Sequence, residues 1–269
     1  MAETSRPGHA SSLARGAAAA GCEVVAVLGG DGTLNEAANG LAGTATALAV
    51  LPGGSTNVFA RSIGLPNDPV EATGQLLGAL DRRSMKQVNL GSVNGRYFLF
   101  NAGFGFDAAV VARADRRSTL KRYAGQPLFA WAALSAWVSG YDRSRPRMRV
   151  EVDGREVTAD GRFAVCLNSD PYTFVRDRPL TLAPGTGLHT PLAVVTFSDL
   201  TLTAFLPAVA GAATGSRRLR PGMARTTGAQ RVVITGYGPL PYQVDGEYLG
   251  EHEHFEVVNE GHALRLVVP

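Results

Sequence analysis

Residues 23–36, Glu-Val-Val-Ala-Val-Leu-Gly-Gly-Asp-Gly-Thr-Leu-Asn-Glu, decide the fold. Glu23–Leu28 is a short β-branched run of the kind buried inside a parallel sheet. Gly29-Gly30-Asp31-Gly32 follows directly, and Thr33–Leu41 reads as a helix that stops near Gly43. A strand that passes through glycines into a helix makes an anion site. Its backbone N–H groups come close to a ligand, and the helix N-terminus adds partial positive charge. Thr33 is placed to cap the helix and offer a hydroxyl, with Glu36 at capping-box spacing behind it. Asp31 is suited to hold a metal ion through water or to order a polar phosphate. The same glycines also suit a tight strand–helix turn with no ligand, and this loop alone leaves both open.

The pattern repeats on either side. His9–Ala20 reads as a helix ended by Gly21, and Ala45–Leu51 as a strand that runs into Pro52-Gly53-Gly54. Thr56–Ser62 and Val70–Leu80 read as helices. Strand–glycine loop–helix units of this kind predict a doubly wound α/β nucleotide-binding lobe over residues 1–88. From Val88 the texture changes. Val88–Val93 and Arg96–Ala102 meet at Asn94-Gly95, a hairpin signal. A helical insert is expected over Asp107–Gly140, with Trp131 and Trp137 as core or packing residues. Strands are then expected at Met148–Val152, Glu156–Thr158, Arg162–Asn168, Ala193–Phe197, Arg231–Thr235, Tyr242–Val244, Glu253–Val258 and Ala263–Val268. Their spacing predicts an antiparallel β-sandwich lobe over residues 89–269, with a cleft between the lobes.

Composition narrows the function classes. With 269 residues, 45% hydrophobic and 18% charged, the chain is long and apolar enough to fold around one large core or two modest ones. Two cysteines, Cys22 and Cys166, exclude a disulfide scaffold and point to a reducing cytoplasm, with Cys22 expected to be inert. A net charge of +3 gives no argument for a nucleic-acid partner. Met1–Ser12 lacks a signal-peptide pattern. Pro127–Val138 and Leu200–Ala213 fall short of the ~20 apolar residues a membrane span needs, so a soluble protein is expected, with surface attachment to a membrane open. Arg116-Arg117 with Lys121-Arg122, Arg143-Arg145-Arg147 and Arg217-Arg218-Arg220 are basic clusters that serve as solvated surface or as contacts to anionic headgroups. His252 and His254 read as a solvated edge strand rather than a metal site.

Three strings occur in order: Gly29–Glu36 (GGDGTLNE), Pro52–Arg61 (PGGSTNVFAR) and Val244–Glu247 (VDGE). Together they resemble the diacylglycerol kinase catalytic-domain family, which includes bacterial lipid kinases and sphingosine kinases, and the resemblance runs over nearly the whole chain. It implies an ATP-dependent lipid kinase, most simply one that converts diacylglycerol to phosphatidic acid, working at the membrane surface with ATP and Mg²⁺. By the same resemblance, Thr4 touches ATP, and Gly30, Asp31, Gly32, Thr33, Leu34, Asn35 and Glu36 wrap the nucleotide phosphates. Ser55 belongs to the second nucleotide loop, and Glu247 accepts the proton of the lipid hydroxyl. The role suits the chemistry: phosphoryl transfer needs a positioned nucleophile and neutralised charge, and a carboxylate within hydrogen-bond reach activates a poor alcohol nucleophile.

Three departures qualify the match. Family members begin with a strand that ends in an Asn-Pro-x-Ser-Gly-like loop. Thr4 lies only three residues from Met1, so that first strand is expected to be missing and dimerisation is one way to cover the bared edge. Relatives often carry aspartate where this chain has Val58, and an acidic loop where it has Thr186-Gly187-Leu188, so no structural metal is expected there. Catalytic Mg²⁺ would find its best protein partner in Asp31. A lipid- or nucleotide-binding homologue impaired in catalysis, and an NAD kinase that shares the Gly-Gly-Asp-Gly core, stand as alternatives.

Overall fold

A computed structural model describes residues 1–115, 141–142 and 144–269. Strands β1 (Val24–Gly29) and β2 (Ala47–Pro52) lie parallel, with Val24 opposite Ala47 and Gly29 opposite Pro52. Helix α1 (His9–Ala19) packs on α2 (Asp31–Leu41), which crosses from β1 to β2. Beyond β2 follow α3 (Val58–Ser62) and α4 (Pro69–Asp81). Helix α4 begins where it does because the Asp68 carboxylate accepts from the Val70 and Glu71 amides while Pro69 supplies the first helical residue. Alternation along β2 sorts its side chains. Leu48 and Val50 join the core under α2 and α3, whereas Ala47 and Ala49 face Leu76 and Ala79 of α4.

One expectation fails here. The Glu23–Leu28 run is not a fully buried strand. β1 pairs only with β2, stands at the end of the sheet path, and leaves Leu28 65% exposed. Cys22, just before it, is exposed rather than sheltered, while Cys166 is buried, with its thiol pushed up to about 12 by desolvation.

The remaining elements are β3 (Met85–Val93), β4 (Arg96–Phe98), β5 (Asn101–Gly105), α5 (Phe106–Asp115), β6 (Met148–Val152), β7 (Arg155–Gly161) and β8 (Phe163–Leu167), then β9 (Thr173–Val175), β10 (Arg178–Leu180), β11 (Leu192–Phe197), α6 (Leu202–Ala213), β12 (Met223–Ala229), β13 (Arg231–Val244) and β14 (Glu247–Val267). Instead of a separate sandwich, one mixed sheet of 12 strands runs β1-β2-β14-β13-β5-β8-β11-β12, with β3, β4, β6 and β7 branching from it and β9–β10 a separate hairpin. The long strand β13 serves two partners. Val232–Gly236 pair with β6, and Tyr242–Val244 pair with β5. The inner faces of those two stretches meet in one cluster that includes Phe104, Val150, Cys166, Ile234 and Phe255, with the Phe104 and Phe255 rings 4.9 Å apart.

Strand β14 ties the β1–β2 pair to the rest of the sheet. It starts at Glu247 beside β13 and ends with Arg265 and Leu266 parallel to Ala47 and Leu48 of β2. The expected division at residue 88 therefore lies inside β3, and the C-terminal residues complete the N-terminal sheet. The expected strand Arg96–Ala102 is interrupted at Leu99-Phe100, whose amides turn to the Asp245 carboxylate instead of a neighbouring strand. The expected pair Glu253–Val258 and Ala263–Val268 is one strand with a register shift between Glu260 and Leu264. Leu200–Ala213 supplies α6, with Pro207 inside it. The expected helical insert is described only through Asp115. Its continuation with Arg116, Arg117, Lys121, Arg122, Pro127–Val138, Trp131 and Trp137, and also Arg143, lie outside the described residues. No helix among the described residues is long and apolar enough to cross a membrane.

The α1–α2 crossing rests on Gly40. A β-carbon there would lie 2.4 Å from the Ser11 carbonyl oxygen and 3.0 Å from the Ala14 β-carbon. In an exposed helix Gly→Ala stabilises, but here overpacking wins at a cost of about 1–3 kcal/mol. Gly40→Ala is expected to lower the thermal unfolding midpoint by several degrees, measured by circular dichroism.

Candidate active site

The two glycine corners touch each other backbone to backbone. The Gly53 amide donates to the Gly29 carbonyl at 2.9 Å. A β-carbon on Gly53 would meet the Gly29 nitrogen at 2.9 Å, and one on Gly54 would meet the Gly30 α-carbon at 2.7 Å. Only glycine permits that approach. Asp31 then clamps one corner to the other: its carboxylate accepts from the Val58 amide at 2.9 Å and the Phe59 amide at 3.0 Å. Burial pushes this carboxyl above its ordinary pKa, and the two amides pull it back down. Asn57, left-handed at φ 50°, closes the second corner, where its Oδ1 accepts from the Gly54 amide at 2.8 Å and its Nδ2 donates to Asn67 Oδ1 at 2.7 Å.

Several expected roles change in this frame. Helix α2 begins at Asp31 with Gly30 as its N-cap, so Thr33 caps nothing and instead packs its side chain on Gly29. Glu36 is not part of a capping box on its own helix. It caps α1, accepting from the Gly8 amide at 2.7 Å and the Ala10 amide at 3.1 Å. Leu34 is wholly buried in the core and presents no side chain to a ligand. Gly32 and Ser55 are exposed at the two corners, and Thr4 is exposed ahead of α1. Asp31 is the one carboxylate on the corners, and both of its oxygens already accept amides. Among the described residues, no three His, Cys, Asp or Glu side chains converge on a metal-sized site. A cation there would be held chiefly by the phosphates it accompanies, with Asp31 contributing what lone pairs remain.

The third string forms the turn between β13 and β14. Asp245, left-handed at φ 46° and buried, accepts four donors: the amides of Leu99 at 2.7 Å, Phe100 at 3.0 Å and Asn101 at 3.1 Å, and Asn35 Nδ2 at 2.8 Å. Gln243 supports the turn from behind. Its Oε1 accepts from the Gly246 amide at 2.8 Å, and its Nε2 donates to Asn101 and to the buried Asp107, which also accepts the Tyr172 hydroxyl.

Held by this network, Glu247 opens β14 with its side chain 43% exposed, and Arg96 Nη2 lies 2.5 Å from its Oε2. Glu247, Arg96, Asn35, Glu36, Gly8 and Pro7 line a cavity of about 270 Å³. Helix α2 thus carries Gly32 at the corner and Glu36 at the cavity, one turn apart. The structure brings Glu247 together with Asn35 and Glu36. It leaves Thr33 and Leu34 to packing. Sequence reasoning missed Arg96, Gln243 and Asp107, and quoted Asn57 and Asp245 within their motifs without giving either side chain a role. Arg96 directly follows the Asn94-Gly95 hairpin, and that was its only signal.

Burial pushes the Asp245 carboxyl up to about 6 despite its four donors. With the folded value above the unfolded one, its contribution to stability is fully present below about pH 4 and fades as the pH rises through about 6. Carboxyl-carbon NMR of the Asp-labelled protein should show one aspartate titrating near 6, absent in Asp245→Asn. A midpoint below 4 would mean that the donors outweigh burial.

The family model described as "Diacylglycerol kinase catalytic domain" matches residues 1–93. The "Diacylglycerol kinase" of Bacillus subtilis (strain 168) is 29% identical over 275 residues, covering 99% of this chain and 84% of that protein. A "Probable lipid kinase YegS-like" of Pseudomonas aeruginosa (strain UCBPP-PA14) is 38% identical over 131 residues, which span 48% of this chain and 41% of that protein. The crystal structure of a diacylglycerol kinase from Bacillus anthracis str. Sterne shares the fold, with a TM-score of 0.71 at 18% identity over 99% of this chain and 83% of that one. Residues 1–93, with their two clamped glycine corners, thus match a diacylglycerol kinase catalytic domain, and the chain is a kinase.

Proposed function

We propose that this chain transfers the γ-phosphoryl group of ATP to the hydroxyl of a lipid alcohol, diacylglycerol first among them, with Glu247 as proton acceptor. The observation that carries the reading is the cavity in which Glu247 stands opposite Asn35 and Glu36, on the helix that springs from the first glycine corner. The helix start at Gly30–Gly32, with Gly32 exposed, favours a polyphosphate, and Ser55 on the second corner adds a hydroxyl. Magnesium entering with ATP would neutralise phosphate charge beside Asp31. The N-terminal residues would hold the nucleotide, and the β-rich remainder would take the acyl chains, at the cytoplasmic face of a membrane.

Glu247 takes the hydroxyl proton as the alcohol oxygen bonds to the γ-phosphorus and the bridging bond to ADP breaks. Arg96 positions that carboxylate through their 2.5 Å contact. The buried turn around Asp245 fixes where the carboxylate stands, so no ordering of the turn is needed at the moment of reaction.

Mass spectrometry of a lipid panel incubated with ATP and Mg²⁺ should show one phosphorylated alcohol and no phosphorylated NAD. Glu247→Gln should lower kcat at least about 100-fold with the KM for ATP within about twofold of the wild type. Unchanged turnover would remove Glu247 from the mechanism. Lipid binding with no phosphorylated product from the wild type would leave a binding protein.

A further inference from the structure

We infer that α6 and the arginine-rich segment after it form a docking surface for the anionic face of a phospholipid bilayer, on the far side of the sheet path from the glycine corners. Helix α6 turns Phe205, Ala208 and Ala212 inward onto the core beneath it. It turns Leu202, Leu206 and Val209 outward, at 47%, 57% and 40% exposure and at i, i+4, i+7 spacing. Leu219, also exposed, extends this apolar surface beyond the helix. An outward-facing leucine stripe on a helix already anchored by its other face fits an apolar environment rather than water.

Charge specifies that environment. From Leu200 to Gln230 there is no aspartate or glutamate, while Arg217, Arg218, Arg220 and Arg225 give the segment +4, more than the net +3 of the whole chain. Arg217 and Arg218 are exposed next to Leu219. The Nε atoms of Arg220 and Arg225 are buried without a hydrogen-bond partner, and both residues line a shallow concavity with Ser216 and Arg218 at the end of α6. Asp170, which lies within electrostatic reach of Arg225, has its carboxylate engaged by the Leu182 and Ala183 amides. Arg225 also donates its Nη1 to the Arg217 carbonyl at 3.1 Å, but a desolvated Nε that lacks an acceptor on each of the two arginines calls for an anion. Apolar side chains to enter the acyl boundary and arginines to meet phosphate at headgroup depth are the two halves of an interfacial anchor. A bilayer satisfies both together, whereas a free phosphate leaves the leucines bare.

Vesicle binding needs no catalysis, so its test is separate from the kinase reading. Vesicles of phosphatidylglycerol and phosphatidylcholine in equal parts should sediment the full chain without ATP, and pure phosphatidylcholine vesicles should bind it at least 10-fold more weakly. Binding should fall at least 10-fold in Leu206→Glu/Val209→Glu and, independently, in Arg217→Ser/Arg218→Ser, and should weaken between 0.05 and 0.5 M NaCl. Both variants should keep the wild-type melting midpoint and turn over a monodisperse short-chain diacylglycerol at the wild-type rate. Wild-type-like vesicle binding by both variants, or no preference of the wild type for anionic vesicles, would overturn the assignment. So would displacement by 10 mM inorganic phosphate, or a change in oligomeric state without a change in vesicle binding.

Discussion

One buried carboxylate holds the site together. Asp245 joins the turn that presents Glu247, the break between β4 and β5, and helix α2 through Asn35, three segments far apart in the chain. A charge buried this deeply is tolerated only when its lone pairs are filled, and four donors fill them. Bonds to a charged acceptor contribute about 1.5–3 kcal/mol each, and leaving the carboxylate without them would cost more than any one bond returns. The position of Glu247 relative to the first glycine corner is therefore set by a rigid link through Asn35, not by a flexible turn. Gln243, Asp107 and Tyr172 brace the same turn from the opposite side, so it is held on two faces.

The glycine corners obey the same logic with backbone in place of side chains. Gly53 and Gly54 sit against Gly29 and Gly30 too closely for any β-carbon, and Asp31 reaches across to fix α3 by its first amides. Two corners that touch backbone to backbone must not drift apart. The Asp31 clamp gives them one position, and it does so with the residue that chemistry alone marks as a metal ligand. Val58, where an acid was expected, contributes its amide to that clamp and its side chain to the core.

Local signals carried the elements near the first corner well. The strand, glycine loop and helix from Glu23 to Leu41 stand within two residues of their expected bounds, because β-branched runs and glycine stops act locally. What depended on distant partners was not legible. The exposure of β1 follows from its having a neighbour on one side only, which no property of Val24–Leu28 reveals. The interruption at Leu99-Phe100 arises from a carboxylate about 145 positions away, and the junction of Leu266 with β2 from a parallel pairing across most of the chain. Glu36 offered a capping-box spacing with Thr33, yet the amides of α1 lay within reach and had no other partner, so a tertiary contact overrode the local motif.

The four carboxylates of the motif strings show how much such overrides matter to function. Asp31, Glu36 and Asp245 all look like candidates for acid–base or metal chemistry in the sequence. In the folded chain each accepts backbone amides and serves architecture: one clamps the corners, one caps α1, and one locks the turn. Glu247 alone accepts no backbone amide, faces the cavity, and is paired with Arg96. Carboxylates whose oxygens are taken up by amide donors have few lone pairs left to receive a substrate proton, and they are poor movers, since shifting them uncaps a helix or a turn. The proposal of Glu247 as proton acceptor thus rests on hydrogen-bond accounting: three acids are consumed in building the cleft, and the fourth is left facing the cavity.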